Sequence, residues 1–382
     1  MTRLTHPDGS VVHLAYCTNV HPAEDVDGVI GQLERFAAPV REKLGTARLG
    51  VGLWLAAPAA GELVGDEIAV ARLRGALDRL GLEAVTFNGF PYQGFHDEVV
   101  KQRVYVPDWT SDERREFTVA LARILAQLLP DDVTDGSVST LPLAWREGFG
   151  AEEARAARAE LEATVEELRR LAENSGKRIR VAVEPEPGCA IETVAGLIEG
   201  IAGLDEEMVG ICLDACHSAV QFESPTEALE QLEAAGVPIV KMQASAALRV
   251  EPARIEELAD FVEPRFLHQT RTTEDAAVLG VDDLDEALDG GLPRDEEWRV
   301  HFHVPVHLDE GRTTQPQLRD LIEGVFGGSR ALTHHVELET YTWNVMPGEL
   351  RPDADEALVH GLALELSWLI DRFQSLGLKE AA

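Results

Sequence analysis

Carboxylates and imidazoles end several apolar segments of this 382-residue sequence. The segment RIRVAVEPEPG ends in Glu184 and Glu186, and the segment VGICLDACHSA ends in Asp214 and His217. A carboxylate in an apolar strand is costly to bury without a partner. Because successive strands each end in such a group, we expect a bound cation to neutralise the cluster. Oxygen ligands with one or two imidazoles suit Mg²⁺, Mn²⁺, Co²⁺, Fe²⁺ or Zn²⁺. The pattern therefore predicts a divalent metal site.

Three later segments add candidates of the same kinds. The segment PIVKMQASA ends in Lys241 and Gln243, and THHVELETYTW carries Glu337 and Glu339. Glu339 lies nearer the end of its predicted strand than Glu337, which makes it the better ligand candidate. The segment HFHVPVH carries three histidines that alternate along one predicted strand, so one face should present all three. These histidines are His301, His303 and His307.

Several candidates have a structural alternative. Glu186 follows Pro185 and is equally explained as a cap of the next helix. His217 also suits a buried position at a barrel rim, and Lys241 also suits an ion pair with a neighbouring glutamate. His334 and His335 precede their strand, which is typical of the bottom of a barrel or of solvent.

Short apolar segments alternate with amphipathic segments of helical period. One amphipathic segment, Ala151–Asn174, repeats its leucines and valine every three or four residues, which predicts a helix. The alternation predicts parallel βαβ units, and about eight units favour a single (β/α)₈ barrel. Functional residues of such barrels project from the carboxyl ends of the strands. The predicted strands are Val12–Asn19, Arg48–Ala56, Glu83–Gly89, Ser137–Leu143, Arg178–Glu186, Val209–Cys216, Pro238–Ala244, Arg299–His307 and Leu332–Tyr341.

These nine strands exceed the eight of a barrel, and the surplus falls in the last third of the chain. Residues 246–298 are too long and acidic for one connection, so we interpret them as an insertion within a single domain that spans residues 1–382. The insertion is predicted to hold a helix, Pro252–Phe261, and an extended piece, Phe266–Thr270. A long helix over Asp353–Leu376 should close the fold. No G-x-G-x-x-G motif follows the first strand, so a dinucleotide-binding fold is not favoured.

Composition argues against several classes of partner. Sixty-eight acidic against thirty-four basic residues give a formal net charge of −34. Such a field repels phosphate backbones, so nucleic acid is not expected as a partner. The sequence has no run of about 18 consecutive apolar residues, so no membrane span is predicted. The N-terminal segment lacks the apolar region of a secretory signal. We therefore expect a cytoplasmic protein. The four cysteines are too scattered for a disulfide framework or a zinc-thiolate site. The sequence does not predict an oligomeric state.

Three strand endings resemble those of the xylose isomerase-like barrels. They are V-E-P at Val183–Pro185, L-D-x-x-H at Leu213–His217 and V-E-L-E at Val336–Glu339. That superfamily includes sugar isomerases, sugar 3-epimerases, hydroxypyruvate isomerase and endonuclease IV. Over nearly its whole length, the chain more narrowly resembles the EboE family of metabolite traffic proteins. The segments that are similar are HLAYCTNVHP, GLWL, NGFPY, KQRVYVPDW, STLPL, EPEPG, HFHVPVH and ELETYTWNVMP.

The broader resemblance implies a metal held by Glu184, Asp214, a histidine after the seventh strand, and Glu339 or, less well matched, Glu337. It also implies that His217 contacts the substrate. The third position departs from the family pattern, because Gln243 stands where a histidine is usual. Either Gln243 is a weaker oxygen ligand, or His303 takes its place. The narrower resemblance implies a link to the trafficking or processing of secondary metabolites and does not specify a reaction.

Two classes of function follow. The first is isomerisation or epimerisation of a small polar hydroxy-carbonyl metabolite, in which Glu184 and Glu339 transfer a proton and the metal polarises substrate oxygens. His217 and Lys241 would orient hydroxyls or stabilise developing charge. The second is a metabolite-binding protein without catalysis, which Gln243 slightly favours. The net charge argues against a third option, phosphodiester hydrolysis. Aromatic residues are predicted either to wall the pocket or to pack at its rim: Phe90, Tyr92, Trp109, Trp145 and Trp343.

Overall fold

Eight parallel strands close into a barrel in the computed structural model, which describes residues 2–308 and 311–381. The eighth strand pairs with both the seventh and the first, which completes the ring. The predicted (β/α)₈ barrel is confirmed. The strands are β1 (Val11–Cys17), β2 (Leu49–Trp54), β3 (Leu82–Asn88), β4 (Asp135–Thr140), β5 (Arg178–Val183), β6 (Val209–Asp214), β7 (Ile239–Ala244) and β8 (His335–Leu338).

Helices connect the strands and pack their apolar faces on the outside of the barrel. The α-helices are Val26–Gln32, Ala38–Leu44, Ala57–Gly65, Glu67–Leu80, Asp112–Leu128, Ala151–Ser175, Val194–Ile201, Ala215–Val220, Pro225–Ala235, Leu284–Glu286, Gln315–Phe326 and Asp355–Ser375. The π-helical turns are Leu33–Ala37 and Ala287–Gly291, and the 3₁₀ helices are Thr18–Val20, Lys101–Tyr105, Pro252–Phe261, Tyr341–Val345 and Gly348–Leu350. Within the described residues, no helix is both long and apolar enough to cross a membrane.

The helix Ala151–Ser175 illustrates why these segments fold as they do. Leu161, Val165 and Leu168 lie on one face and are buried, as the period of the sequence predicts. The helix ends at Gly176, whose φ of 69° is a left-handed conformation that favours glycine. Its position between β4 and β5 makes it one of the connections of the parallel barrel.

An antiparallel sheet of four short strands lies in the connection between β7 and β8. Its strands are Leu248–Val250, Thr270–Glu274, Ala277–Val281 and Trp298–Val300. We refer to residues 246–300 as the insertion. The predicted helix Pro252–Phe261 is present as a 3₁₀ helix, and the predicted extended piece begins its strand only at Thr270.

The prediction of a barrel strand over Arg299–His307 is wrong. Only the short strand Trp298–Val300 forms there, and it belongs to the insertion. Residues 301–305 have no regular structure, because the Phe302 N–H turns back to the Val300 carbonyl (2.7 Å) and Pro305 has no N–H to donate. The histidines therefore do not share one strand face, and the surplus ninth strand disappears.

Candidate metal centre and active site

Three carboxylates meet at the carboxyl end of the barrel. Glu184 directly follows β5, Asp214 is the last residue of β6, and Glu339 directly follows β8. One oxygen from each lies within 4.8 Å of an oxygen of the other two. Their backbones are held by neighbouring strands, since the Glu184 N–H donates to Thr140 and the Glu339 N–H donates to Ala244. The predicted convergence of these residues is therefore present in the structure.

The carboxylates differ in how their oxygens are used. Glu339 Oε1 accepts hydrogen bonds from the side-chain amides of Asn19 (2.8 Å) and Asn88 (2.7 Å). Asp214 Oδ1 accepts from the Ser245 hydroxyl (2.8 Å) and from the backbone of the helix that follows. In contrast, Glu184 Oε2 and Asp214 Oδ2 are buried and have no hydrogen-bond partner among the described residues. Each of these oxygens is free to bind a cation.

The proximity of three acids in a dry site perturbs their titration. Burial, followed by the charges of Glu339 and Asp214, raises the pKa of Glu184 well above its ordinary value. Burial, followed by the charges of Asp214 and Glu337, raises the pKa of Glu339 in the same direction. Ionising the whole cluster therefore requires a compensating positive charge.

Gln243 lies in β7 between strands that bear carboxylates. The strand register pairs it with Asp214 on β6 and with Glu337 on β8. Its side chain is completely buried, and neither of its amide atoms has a hydrogen-bond partner in the described chain. An amide oxygen without a partner beside Asp214 is available as a ligand.

Three imidazoles form a second group next to the carboxylates. His217 Nε2 lies 3.0 Å from His301 Nε2, and the His303 ring packs against both of these rings. Ligand atoms of Asp214, His217 and His303 lie within 4.8 Å of one another, as do those of Cys216, His301 and His303.

The other predicted histidines lie elsewhere. His307 is in a turn beyond the cluster and is half-buried. His335 does not precede β8 as predicted but is its first residue, and its Nδ1 lies 2.9 Å from Ser137 Oγ. His334 precedes β8, and burial lowers its pKa.

Lys241 and Glu337 form a buried ion pair inside the barrel, beneath the three carboxylates. Lys241 Nζ lies 2.7 Å from Glu337 Oε2, and both side chains are completely buried. The ammonium also donates to Ser139 Oγ (3.2 Å) and to the Phe87 carbonyl (3.3 Å). Gly52 makes room for the pair, because a Cβ there would lie 1.3 Å from Glu337 Oε1. Lys241 therefore does not line the cavity described next.

A narrow cavity opens to solvent above the carboxylates. The polar side of this cavity is lined by Glu184, His217, Glu339 and His303, which follows the insertion. Of the five aromatic residues predicted either to wall the pocket or to pack at its rim, Phe90 lines the wall. The other aromatic side chains of the wall are Phe95, Tyr105, Phe266 and Tyr341. Tyr92, Trp109, Trp145 and Trp343 pack or hydrogen-bond outside the cavity.

Sequence reasoning missed the residues that support the carboxylates. Asn19 and Asn88 follow or end barrel strands, so the rule that strand ends carry function would have found them. Tyr105 had no such signal: it lies in a 3₁₀ helix and donates a hydrogen bond to Glu186 Oε1 (2.6 Å). Burial raises the pKa of Glu186 to about 7. Glu186 lines the cavity and does not cap the next helix, whose cap is Thr193.

Comparison with known proteins identifies the family. A family model described as "xylose isomerase-like TIM barrel" matches residues 50–273, more than half of the chain. The chain belongs to the xylose isomerase-like TIM barrels. No curated protein matches it. Of the site residues, His301, His303 and Glu339 lie beyond the part that the family model matches.

Three solved structures are similar to this chain at low sequence identity. A xylose isomerase-like protein from Mycobacterium smegmatis in complex with magnesium is 13% identical, with a TM-score of 0.52 over 94% of this chain and 97% of that one. The IolI protein with a bound zinc atom is 12% identical, with a TM-score of 0.50 over 95% and 98%. A D-psicose 3-epimerase from Clostridium cellulolyticum H10 is 13% identical, with a TM-score of 0.41 over 60% and 72%.

Proposed function

We propose that this xylose isomerase-like barrel is a metal-dependent isomerase or epimerase that acts on a small polar hydroxy-carbonyl metabolite. The observation that carries the proposal is the meeting of Glu184, Asp214 and Glu339, which are buried beside a cavity and offer two oxygens that have no hydrogen-bond partner among the residues the structure describes. The magnesium and zinc in the two similar structures support a divalent cation as the missing partner.

The ligands we assign to this cation are Glu184, Asp214, Glu339 and the amide oxygen of Gln243. The donor set fits, because hard oxygen ligands suit Mg²⁺ or Mn²⁺ and tolerate Zn²⁺. A cation bound there would polarise adjacent substrate oxygens as a Lewis acid. It would also offset the burial and the mutual repulsion that together raise the pKa of Glu184 and Glu339.

Proton transfer falls to the two glutamates. Glu184 and Glu339 reach the cavity from strands on different sides of the barrel, so one can remove a proton from a substrate carbon while the other returns it. The amides of Asn19 and Asn88 fix Glu339 through Oε1, which holds the carboxylate in one orientation. A fixed carboxylate suits a reaction in which the attacked carbon must lie within about 3–3.5 Å.

Lys241 takes a different role from the one its sequence position suggests. Its ammonium is held by Glu337, Ser139 and a backbone carbonyl, so we assign it no substrate contact. Its charge lowers the pKa of both Glu184 and Glu339 against the larger effect of burial. We therefore propose that Lys241 keeps part of the acidic cluster ionised from below.

The reaction is tested by exchange of carbon-bound hydrogen. Free ketohexoses are incubated in D₂O with the Mn²⁺-loaded protein, and ¹H NMR follows deuterium entering beside the carbonyl and the appearance of the epimer. We expect exchange by the wild type and a loss of at least 10²-fold, within the range of 10²–10⁴ for a general acid or base, in Glu339→Gln. The matched control is Glu274→Gln, an exposed residue of the insertion, which should exchange at the wild-type rate.

The alternative is a metabolite binder without turnover, which the neutral Gln243 favours because it replaces an ionisable ligand. Wild-type protein that binds Mn²⁺ and a ketohexose, and yet exchanges no hydrogen with any of the sugars, would refute catalysis on this class. The segments that resemble the EboE family support a finer proposal, that the natural substrate is an intermediate of secondary metabolism. Extracts of a strain lacking the gene should then accumulate a compound that the purified protein converts.

A further inference from the structure

We infer that Glu365, in the C-terminal helix Asp355–Ser375, is a positioning residue of the active site that holds Glu339 in place from outside the barrel. The inference rests on the proposed function, which assigns Glu339 to the cation and to proton transfer. Glu365 lies beyond the residues that the family model matches, and it is not among the described residues that line the cavity. It reaches the site through the loop that follows β8.

The Glu365 carboxylate joins two loops of the active site. Its Oε1 accepts hydrogen bonds from the Thr340 hydroxyl (2.7 Å) and from the Val306 N–H (3.0 Å), and its Oε2 accepts from Trp343 Nε1 (3.0 Å). Thr340 and Trp343 belong to the loop that follows β8, whereas Val306 belongs to the loop that follows the insertion. One side chain therefore fixes both loops against the C-terminal helix.

The same two loops are hydrogen-bonded to each other beside the cavity. His303 Nδ1 donates to the Glu339 carbonyl (2.9 Å), since a carbonyl oxygen only accepts. In the other direction, the Thr342 hydroxyl donates to the His303 carbonyl. His303, Glu339 and Tyr341 all line the cavity. A shift of the anchored segments would therefore move side chains that face the substrate.

The chemistry of Glu365 favours a role beyond packing. Its side chain has no solvent exposure, and within the described part of the chain no basic side chain is paired with it. Burying an unpaired carboxylate costs free energy, so an apolar residue would stabilise the fold better if the position had only to fill space. A carboxylate has two acceptor oxygens and no donor, so it can accept from three donors on two loops.

The C-terminal helix also makes room for the ring of Trp343. Gly361 lies one turn before Glu365, on the same face of the helix. A Cβ at Gly361 would lie 2.5 Å from the indole ring, so a larger residue would push the ring away from the helix. The glycine and the carboxylate together hold the ring and its Nε1, which limits how far the loop can move.

The placement of Glu339 depends on the chain on both sides of its carboxylate. Asn19 and Asn88 bind Oε1, and the bond from Thr340 to Glu365 fixes the residue that follows. A misplacement of about 1 Å by a distant mutation can cost on the order of 10²-fold in rate. Loss of an outer partner of a metal ligand typically costs about 10–100-fold in metal affinity. We therefore expect Glu365 to affect both quantities.

The test is Glu365→Gln, which keeps one acceptor oxygen and places an amide NH₂ where the other oxygen was. That NH₂ faces a donor, so the loop after β8 should shift. Metal-stripped full-length protein is titrated with Mn²⁺, and electron paramagnetic resonance follows the free ion. We expect the affinity to fall by at least about 10-fold. In the hydrogen-exchange assay, kcat should fall by about 10²-fold with little change in KM.

Two further variants separate positioning from stability. In the Glu365→Gln background, Trp343→Phe removes the donor that the new NH₂ faces, while the amide oxygen still serves the other two donors. This double variant should regain part of the Mn²⁺ affinity. The matched control is Phe373→Leu in the same helix, whose ring packs on Phe326 with 5.0 Å between centroids. It should lower the free energy of unfolding and leave the Mn²⁺ affinity unchanged.

A crystal structure of metal-free Glu365→Gln gives a readout that needs neither metal nor turnover. We expect the Glu339 carboxylate to move by about 1 Å relative to Asn19 and Asn88. An unmoved Glu339 would overturn the inference, and so would an equal loss of Mn²⁺ affinity in Phe373→Leu. A wild type that binds Mn²⁺ and exchanges no hydrogen would refute the proposed reaction, whereas the displacement of Glu339 and the loss of affinity would still be expected.

Discussion

Replacing Gly52 with alanine is expected to break the buried ion pair inside the barrel. The new Cβ would lie 1.3 Å from Glu337 Oε1, so the Glu337 carboxylate must leave its place. Glu337 Oε2 is 2.7 Å from Lys241 Nζ, and neither side chain has any solvent exposure. Leaving a buried charge without its partner costs about 3–5 kcal/mol. We expect a loss of that size in the free energy of unfolding.

The measurement is guanidinium unfolding at pH 7, followed by circular dichroism. The matched control is Gly75→Ala, in the interior of the helix Glu67–Leu80, where a Cβ meets nothing within 4 Å. Alanine is the better helix former, so this variant should gain about 0.5–1 kcal/mol. The two substitutions should therefore change the free energy of unfolding in opposite directions.

A second mutation isolates the cause. In a Glu337→Ala background the carboxylate is gone, so adding Gly52→Ala should cost far less than it costs in the wild type. If the free energy of unfolding of Gly52→Ala lies within about 1 kcal/mol of the wild-type value, the new Cβ does not displace Glu337 and the reasoning is wrong. An equal cost in both backgrounds would show that the backbone of β2, and not the ion pair, requires glycine at this position.

Three further perturbations follow from the site. Burial raises the pKa of Glu184 above its unfolded value of 4.5, so the metal-free protein should lose stability as the pH rises from about 4.5 through the folded pKa. Excess Mg²⁺ should make the melting temperature depend less on pH. Glu365→Ala removes the acceptor of three buried donors, among them Trp343 Nε1, so it should lower the free energy of unfolding by at least about 3 kcal/mol. Glu365→Gln keeps an acceptor, so chemical unfolding should show a smaller loss. Tyr105→Phe removes a hydrogen bond that lowers the pKa of Glu186, so ¹³C NMR should find that carboxyl titrating above its present value of about 7.

The barrel and the convergence of its carboxylates were accessible from the sequence. Parallel strands alternate with helices, so their carboxyl ends must meet at one face. Glu184, Asp214 and Glu339 each lie at or just after the end of a strand, and the structure brings them together for that reason. Neither the strand lengths nor their register had to be known.

Two features needed the three-dimensional structure. The HFH segment alternates like a strand, and only its hydrogen bonds reveal that the chain turns at Phe302. Lys241 lies two residues before Gln243 on β7, so it points into the same interior one layer lower. Whether that layer faces the substrate or an ion pair depends on Glu337 and on the space left by Gly52, which are distant in sequence.

The pairing of β8 with β1 sets when the centre can assemble. Glu339 accepts one of its two side-chain hydrogen bonds from Asn19, 320 residues earlier in the chain. Contacts of such sequence separation form slowly, because the loop they close costs entropy before the contact repays it. During synthesis, β8 is also the last barrel strand to emerge. Tight cation capture should therefore lag behind the appearance of helical signal in refolding, and a metal-sensitive dye would time the closure of the ring.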